Sequence, residues 1–285
     1  MVVMERRERR RRARRARPAV ITGLVLYRGP SALNGEPIVV VATGLDGALS
    51  DNEKTGAMVQ TYIMPDVGLS PEKAIKTGDD ASVCGDCPHR AQFGPSGEYI
   101  KAGSCYVNAG QGARQVFEKY SRGGYPVYDP ARDEHLLRGR LIRFGTWGDP
   151  AAAPVGLWRM LAGLAKGRTG YTHQWRRADP GLRPLLMASV DTPEDMAEAQ
   201  AMGWRTFRVR RPGEPVLPGE IICPASAEAG KRRTCEACKA CGGATASAAA
   251  RSVVIIVHGL AWKVARFEET RARIEAGRRV ALSLL

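Results

Sequence analysis

Seven cysteines in two groups constrain this chain more than any other feature. Cys235, Cys238 and Cys241 are separated by gaps of two residues in Thr-Cys-Glu-Ala-Cys-Lys-Ala-Cys-Gly-Gly, and Cys223 closes the apolar run Glu-Ile-Ile ahead of Pro224. Such gaps let successive sulfurs turn toward one centre, while the glycines and basic residues beside them supply backbone freedom and positive charge for thiolates. Upstream, Cys84 and Cys87 form a C-x-x-C, and Cys105 follows after a Gly-rich stretch. The cysteines therefore divide as three plus four. Four thiolates close a metal site, whereas three leave one position for another ligand.

A single zinc clamp made from the pairs Cys84/Cys87 and Cys235/Cys238 is the plainer alternative. The usual interval between zinc-ribbon pairs is about 15–20 residues, far shorter than the gap here, and the clamp leaves Cys105, Cys223 and Cys241 idle. The expectation is two [4Fe–4S] clusters, with zinc as the alternative metal and unligated core thiols as the bland reading.

With 285 residues, 44% of them hydrophobic, the chain can bury a large core. An odd number of cysteines at ligand-like spacings argues against a disulfide framework and for a reducing, cytoplasmic setting. No run is long enough to span a bilayer. The net charge of +14 is concentrated: residues 1–17 hold nine Arg and two Glu, half of the total. That arm is read as disordered and as a non-specific contact for polyanions such as nucleic acid, ahead of a single domain over residues 18–285. Followed by residues 19–27 it looks like a signal peptide, but no small-residue cleavage site follows.

β-like runs at 19–27, 37–42 and 58–64 precede Ser70-Pro71-Glu72, which reads as a cap and a Pro opening a short helix. Beyond residue 140, strands expected at 140–145, 170–174, 185–190, 205–210, 220–223 and 252–258 alternate with helices at 154–166, 193–202 and from 261. That alternation predicts an α/β fold, a partial parallel (β/α) barrel. Active groups of such folds sit at the C-terminal strand ends. The residues expected there are Asp149, His173, Asp191, Cys223 and His258, which puts a metal site and titratable groups on one face. Asp149 and Asp191 also read as helix caps before Pro150 and Thr192-Pro193, and His173 and His258 as hydrogen-bonded core residues. Trp147, Trp158, Trp175 and Trp204 read as packing, and His89, after Cys87-Pro88, as a solvated loop residue.

Taken together, Cys84/Cys87, Cys105-Tyr106, Arg143-Phe144-Gly145 with Gly148-Asp149, Tyr171-Thr172-His173, Cys223-Pro224, the Cys235 triplet and His258 resemble an uncharacterised group of phage and prophage proteins similar to radical SAM enzymes. The likeness runs from about residue 58 to 259. It implies an open cluster on Cys84, Cys87 and Cys105 with S-adenosylmethionine at its free iron, and an auxiliary cluster on Cys223, Cys235, Cys238 and Cys241. It further implies cofactor contacts from Tyr106, Asn108, Gly145 and Gly148, catalytic roles for Asp149, His173, Asp191 and His258, and an electron-donor partner. The chain departs from the radical SAM pattern, in which three residues and then two separate the cysteines. Here the gaps are two and seventeen, and the aromatic Tyr106 follows the last cysteine instead of preceding it. The rival class is a non-enzymatic nucleic-acid-binding protein in which metal sites are staples.

Overall fold

The computed structural model describes residues 20–46, 55–230, 233–244 and 251–283; the basic arm lies outside them. Strands β1 (Gly23–Pro30), β2 (Pro37–Thr43) and β3 (Val59–Pro65) form an antiparallel meander. Their Val/Ile-rich sequences bury both faces of β2, as five consecutive buried residues show. From β3 onward the sheet is parallel. It continues through β6 (Leu141–Trp147), β7 (Gly167–Thr172), β8 (Met187–Val190), β9 (Thr206–Arg210), β11 (Ser252–Ile256) and β10 (Glu220–Ile222), to make nine strands in all. A separate hairpin, β4 (Gln92–Phe93) with β5 (Tyr99–Lys101), stands outside this sheet. The protein is thus a mixed α/β fold on a large, mostly parallel sheet.

Up to β9 the parallel strands lie in chain order, so right-handed crossovers all return on one face. Helices α5 (Val155–Leu164) and α6 (Pro193–Ala201) occupy that face: Trp158, Leu161, Met196 and Ala199 share a core with Phe144, Ala188 and Val190. Residues one position along each strand point the other way. Met187, Val253 and Ile255 pack there with Cys223, Cys241, Tyr171 and Phe207. All four tryptophans assigned to packing are buried.

Preceding the parallel strands, α1 (Pro71–Thr77) is capped by Ser70 with Pro71 in its first turn, as the sequence implied, and α2 (Ala81–Cys84) ends on the first cysteine. Helix α3 (Arg114–Ser121) is entered through a π-turn at Ala109–Ala113; a short α4 (Pro130–Asp133) follows. One further turn, α7 (Cys235–Cys238), carries two cysteines. The long α8 (Ala261–Ser283) closes the chain and is anchored by Arg211 to Glu268 and Glu275, 2.7 Å each.

Candidate functional site

Cys84, Cys87 and Cys105 converge although seventeen residues separate the last two. The β4–β5 hairpin folds the intervening chain back on itself, so that the Cys105 amide donates to the His89 carbonyl at 3.0 Å. Gly103 makes the approach feasible, because a Cβ there would lie 2.1 Å from the same carbonyl. Arg90 clamps the C-x-x-C turn: its guanidinium donates to both Asp80 oxygens, at 2.6 and 3.0 Å, and to the carbonyls of Gly85 and Gly78, both at 2.9 Å. Burial pushes the Cys84 and Cys87 thiols well above the ordinary range, and each feels the charge of Cys105. Cys105 is itself raised, first by burial, although the residue keeps solvent contact; it also sits within the field of Lys263.

These thiols meet the C-terminal ends of the parallel strands. Asp149 follows β6, and its amide donates to the Val83 carbonyl at 2.6 Å, tying the strand end to the cysteine turn. Its carboxylate accepts from the Ala151 amide at 2.9 Å, the expected cap, and also from the His173 amide at 2.8 Å. Burial raises it to about 6 against those hydrogen bonds. His173 follows β7 and is pushed down to about 4, first by burial and then by His89. The next residue, Gln174, reaches the Cys84 carbonyl at 2.9 Å.

Asp191 follows β8 and does not cap α6; Thr192 does. Instead Asp191 faces His89, with Oδ2 to Nε2 at 2.9 Å. Burial alone would raise this carboxyl, but His89, His173 and Arg271 outweigh it and hold it below the usual range. His89 is therefore buried, not the solvated loop residue expected. The hairpin that returns Cys105 covers it, and its Nδ1 contacts Ser104 Oγ at 2.7 Å. His89, His173 and Asp191 bring one ligand atom each within 4.8 Å of one another, and no other trio of His, Cys, Asp or Glu among the described residues does so.

Cys223, Cys235, Cys238 and Cys241 form the second set. Cys241 is raised to about 12, first by burial, with the other three adding, and the Tyr171 hydroxyl hydrogen-bonds its sulfur. The loop carrying this set lies against the other end of the strands. The Glu236 amide donates to Thr55 ahead of β3, Ala244 to Arg183 ahead of β8, and Arg205 ahead of β9 donates to Gly243. The expectation that Cys223 shares a face with Asp149, His173 and Asp191 is corrected. β10 is three residues long and pairs with the first half of β11, so Cys223 bonds to Val254 within the sheet and not at its C-terminal edge.

His258 does not join the trio: it is exposed, and its ring lies 5.0 Å from that of Tyr106. Asn108 is exposed and caps the π-turn through Gly110 at 3.1 Å. Gly145 and Gly148 have positive φ, and a Cβ on them would meet Pro150 at 2.7 Å and the Ile63 carbonyl at 2.4 Å. The chain's own packing takes up both positions. Sequence reasoning weighed His89 as a ligand but preferred a solvated role, and it missed Arg90, Ser104 and Gln174. Only the Pro-His-Arg that follows Cys87 signalled His89 and Arg90.

Architecture and site geometry together describe a mixed α/β protein with two separate cysteine sets and a His/His/Asp trio beside one of them. No family model, curated protein or solved structure matches the chain. No helix among the described residues is long and apolar enough to cross a membrane.

Proposed function

We propose that the protein is an iron–sulfur protein with redox chemistry at the three-cysteine set. The reading includes a sheet curved into a partial barrel, with the helices outside. Cys84, Cys87 and Cys105 would hold the open cluster, and Cys223, Cys235, Cys238 and Cys241 a closed one. The observation that carries this is that each set converges by itself, against opposite ends of one parallel sheet. The sequence spacing favours clusters over a single zinc clamp, which would leave Cys105, Cys223 and Cys241 idle.

When bound, such a cluster supplies one-electron transfer and an iron position open to a further ligand. The chain's residues do the rest. Arg90 and Gln174 fix the cysteine turn, and Asp149 orients the backbone at His173. Gly145 and Gly148 are occupied by the chain's own packing, so the proposal stops short of S-adenosylmethionine. Its cleavage is an outcome the same experiment reads.

Anaerobically purified protein should be brown and carry about eight irons per chain. Cys105→Ala should lose one cluster and Cys238→Ala the other, as read by EPR of the reduced protein. Stoichiometric zinc without iron, from cells given ample iron, would sink the reading. Formation of 5′-deoxyadenosine by wild type and not by Cys105→Ala would extend it to radical chemistry.

A further inference from the structure

We propose that His89, His173 and Asp191 form a mononuclear site for a divalent first-row metal ion of the iron(II) or zinc kind, separate from both cysteine sets and open to a cavity. The three come from distant parts of the chain: His89 from the loop after Cys87, His173 and Asp191 from the C-terminal ends of the neighbouring strands β7 and β8. All three ligand atoms lie within 4.8 Å of one another. Two imidazoles and one carboxylate on a common face are the donor set of mononuclear iron(II) sites and also suit zinc.

A hydrogen-bonded lock is the competing account, and it explains only part of the arrangement. The 2.9 Å contact joins His89 Nε2 to Asp191 Oδ2. The other oxygen, Asp191 Oδ1, is buried with no hydrogen-bond partner among the described residues. A metal ion answers for both oxygens and for His173, and the spacing admits one. Bonds of ~2.1 Å at ~90° separate neighbouring donors by about 3 Å, close to the distance between His89 and Asp191.

Behind the ligands stands an outer layer of the kind that metal-bound histidines require. His89 Nδ1 contacts Ser104 Oγ at 2.7 Å, and Ser104 contacts Thr270 of α8 at 3.0 Å. An N–H on Nδ1 donating to Ser104 leaves the Nε2 lone pair for the metal. Phe267 of α8 stacks on the His89 ring at 5.7 Å, with the planes 3° apart, and holds its rotation. In front, a cavity of about 480 Å³ is lined by His173 and Asp191, with Asp195 and Glu198 beside them. Three protein ligands and an open side describe a site that binds and polarises a substrate atom or water, in contrast to a closed structural site.

The test uses the full-length protein as purified, dialysed against Co²⁺ as the probe. Wild type should take up one Co²⁺ per chain on nitrogen and oxygen donors, distinct in X-ray absorption from any ion held by the thiolates of unfilled cysteine sets. Asp191→Asn, which keeps the shape of the side chain, and His173→Gln should each weaken that binding by more than the ~10–100-fold that outer-layer changes cost. Ser104→Ala should fall within that range. Protein with unfilled cysteine sets would add thiolate-bound Co²⁺ and still keep the nitrogen- and oxygen-bound ion, so a protein lacking iron–sulfur clusters could still bear this inference out. Co²⁺ held only by sulfur, or held equally by Asp191→Asn and His173→Gln, would overturn it. Should either variant fail to fold, the donor set seen in wild type decides alone.

Discussion

Arg90 shows how one side chain can hold a cysteine turn in place through its hydrogen bonds alone. It is the fork that satisfies Asp80 and two carbonyls around Cys84, and Asp80 is buried. Burial raises the Asp80 carboxyl even with the guanidinium beside it. A lysine keeps the charge but has no fork to span four acceptors. Arg90→Lys should therefore release iron from the three-cysteine set to a chelator sooner, with the four-cysteine set unchanged, as followed by EPR during chelation. Gly148 is a second such residue. Its φ is +79°, and a Cβ at this position would lie 2.4 Å from the Ile63 carbonyl, which leaves no room for a side chain. Gly148→Ala should cost about 2 kcal/mol or more in urea unfolding, from the left-handed backbone and the forced shift of β3 together.

At the level of elements, α8 matters most for the site. It places Phe267 on His89, Thr270 on Ser104, Lys263 on the Val107 carbonyl at 2.8 Å and Arg273 on the Pro88 carbonyl at 2.8 Å. This helix thus makes two contacts with the segment after Cys87 and two with the segment around Cys105. Phe267 is 3% exposed, so its truncation removes buried apolar surface and leaves a cavity over His89. Phe267→Ala should destabilise the protein by about 3–5 kcal/mol and loosen the hairpin between Cys87 and Cys105. Amide exchange at residues 89–105 is the measurement: protection there should fall more than protection in β7 and β8. Equal loss everywhere would show that α8 stabilises the fold without favouring the site.

For the whole molecule, two half-buried tyrosines set an alkaline limit. Tyr120 and Tyr125 are each raised to about 12, first by burial, and Tyr120 also donates to Asp66 at 2.8 Å. The folded state holds these phenols protonated more tightly than the unfolded chain, in which they ionise near 10. Their contribution is intact below pH 10 and is lost as pH rises through 12. Unfolding free energy measured in urea should thus fall across that window, with phenolate absorbance appearing late in the folded protein.

Local patterning along the chain settles its periodic part and the grouping of the cysteines. Strand and helix alternation beyond residue 140 follows from local hydrophobic period, which any chain must obey to cover a sheet. The three-plus-four division follows from spacing, and the cysteines of each set lie near enough to act electrostatically on one another. How the two sets lie is a matter of strand pairing. A three-residue β10 paired to the first half of β11 takes Cys223 away from the strand ends, and no local pattern encodes that register. Nor does one encode the hairpin return that buries His89 and carries its Nε2 to Asp191, 102 residues along the chain. Sequence gives each residue's chemistry and its neighbours along the chain; partners across the chain are set by which strands pair and which loop folds over which end.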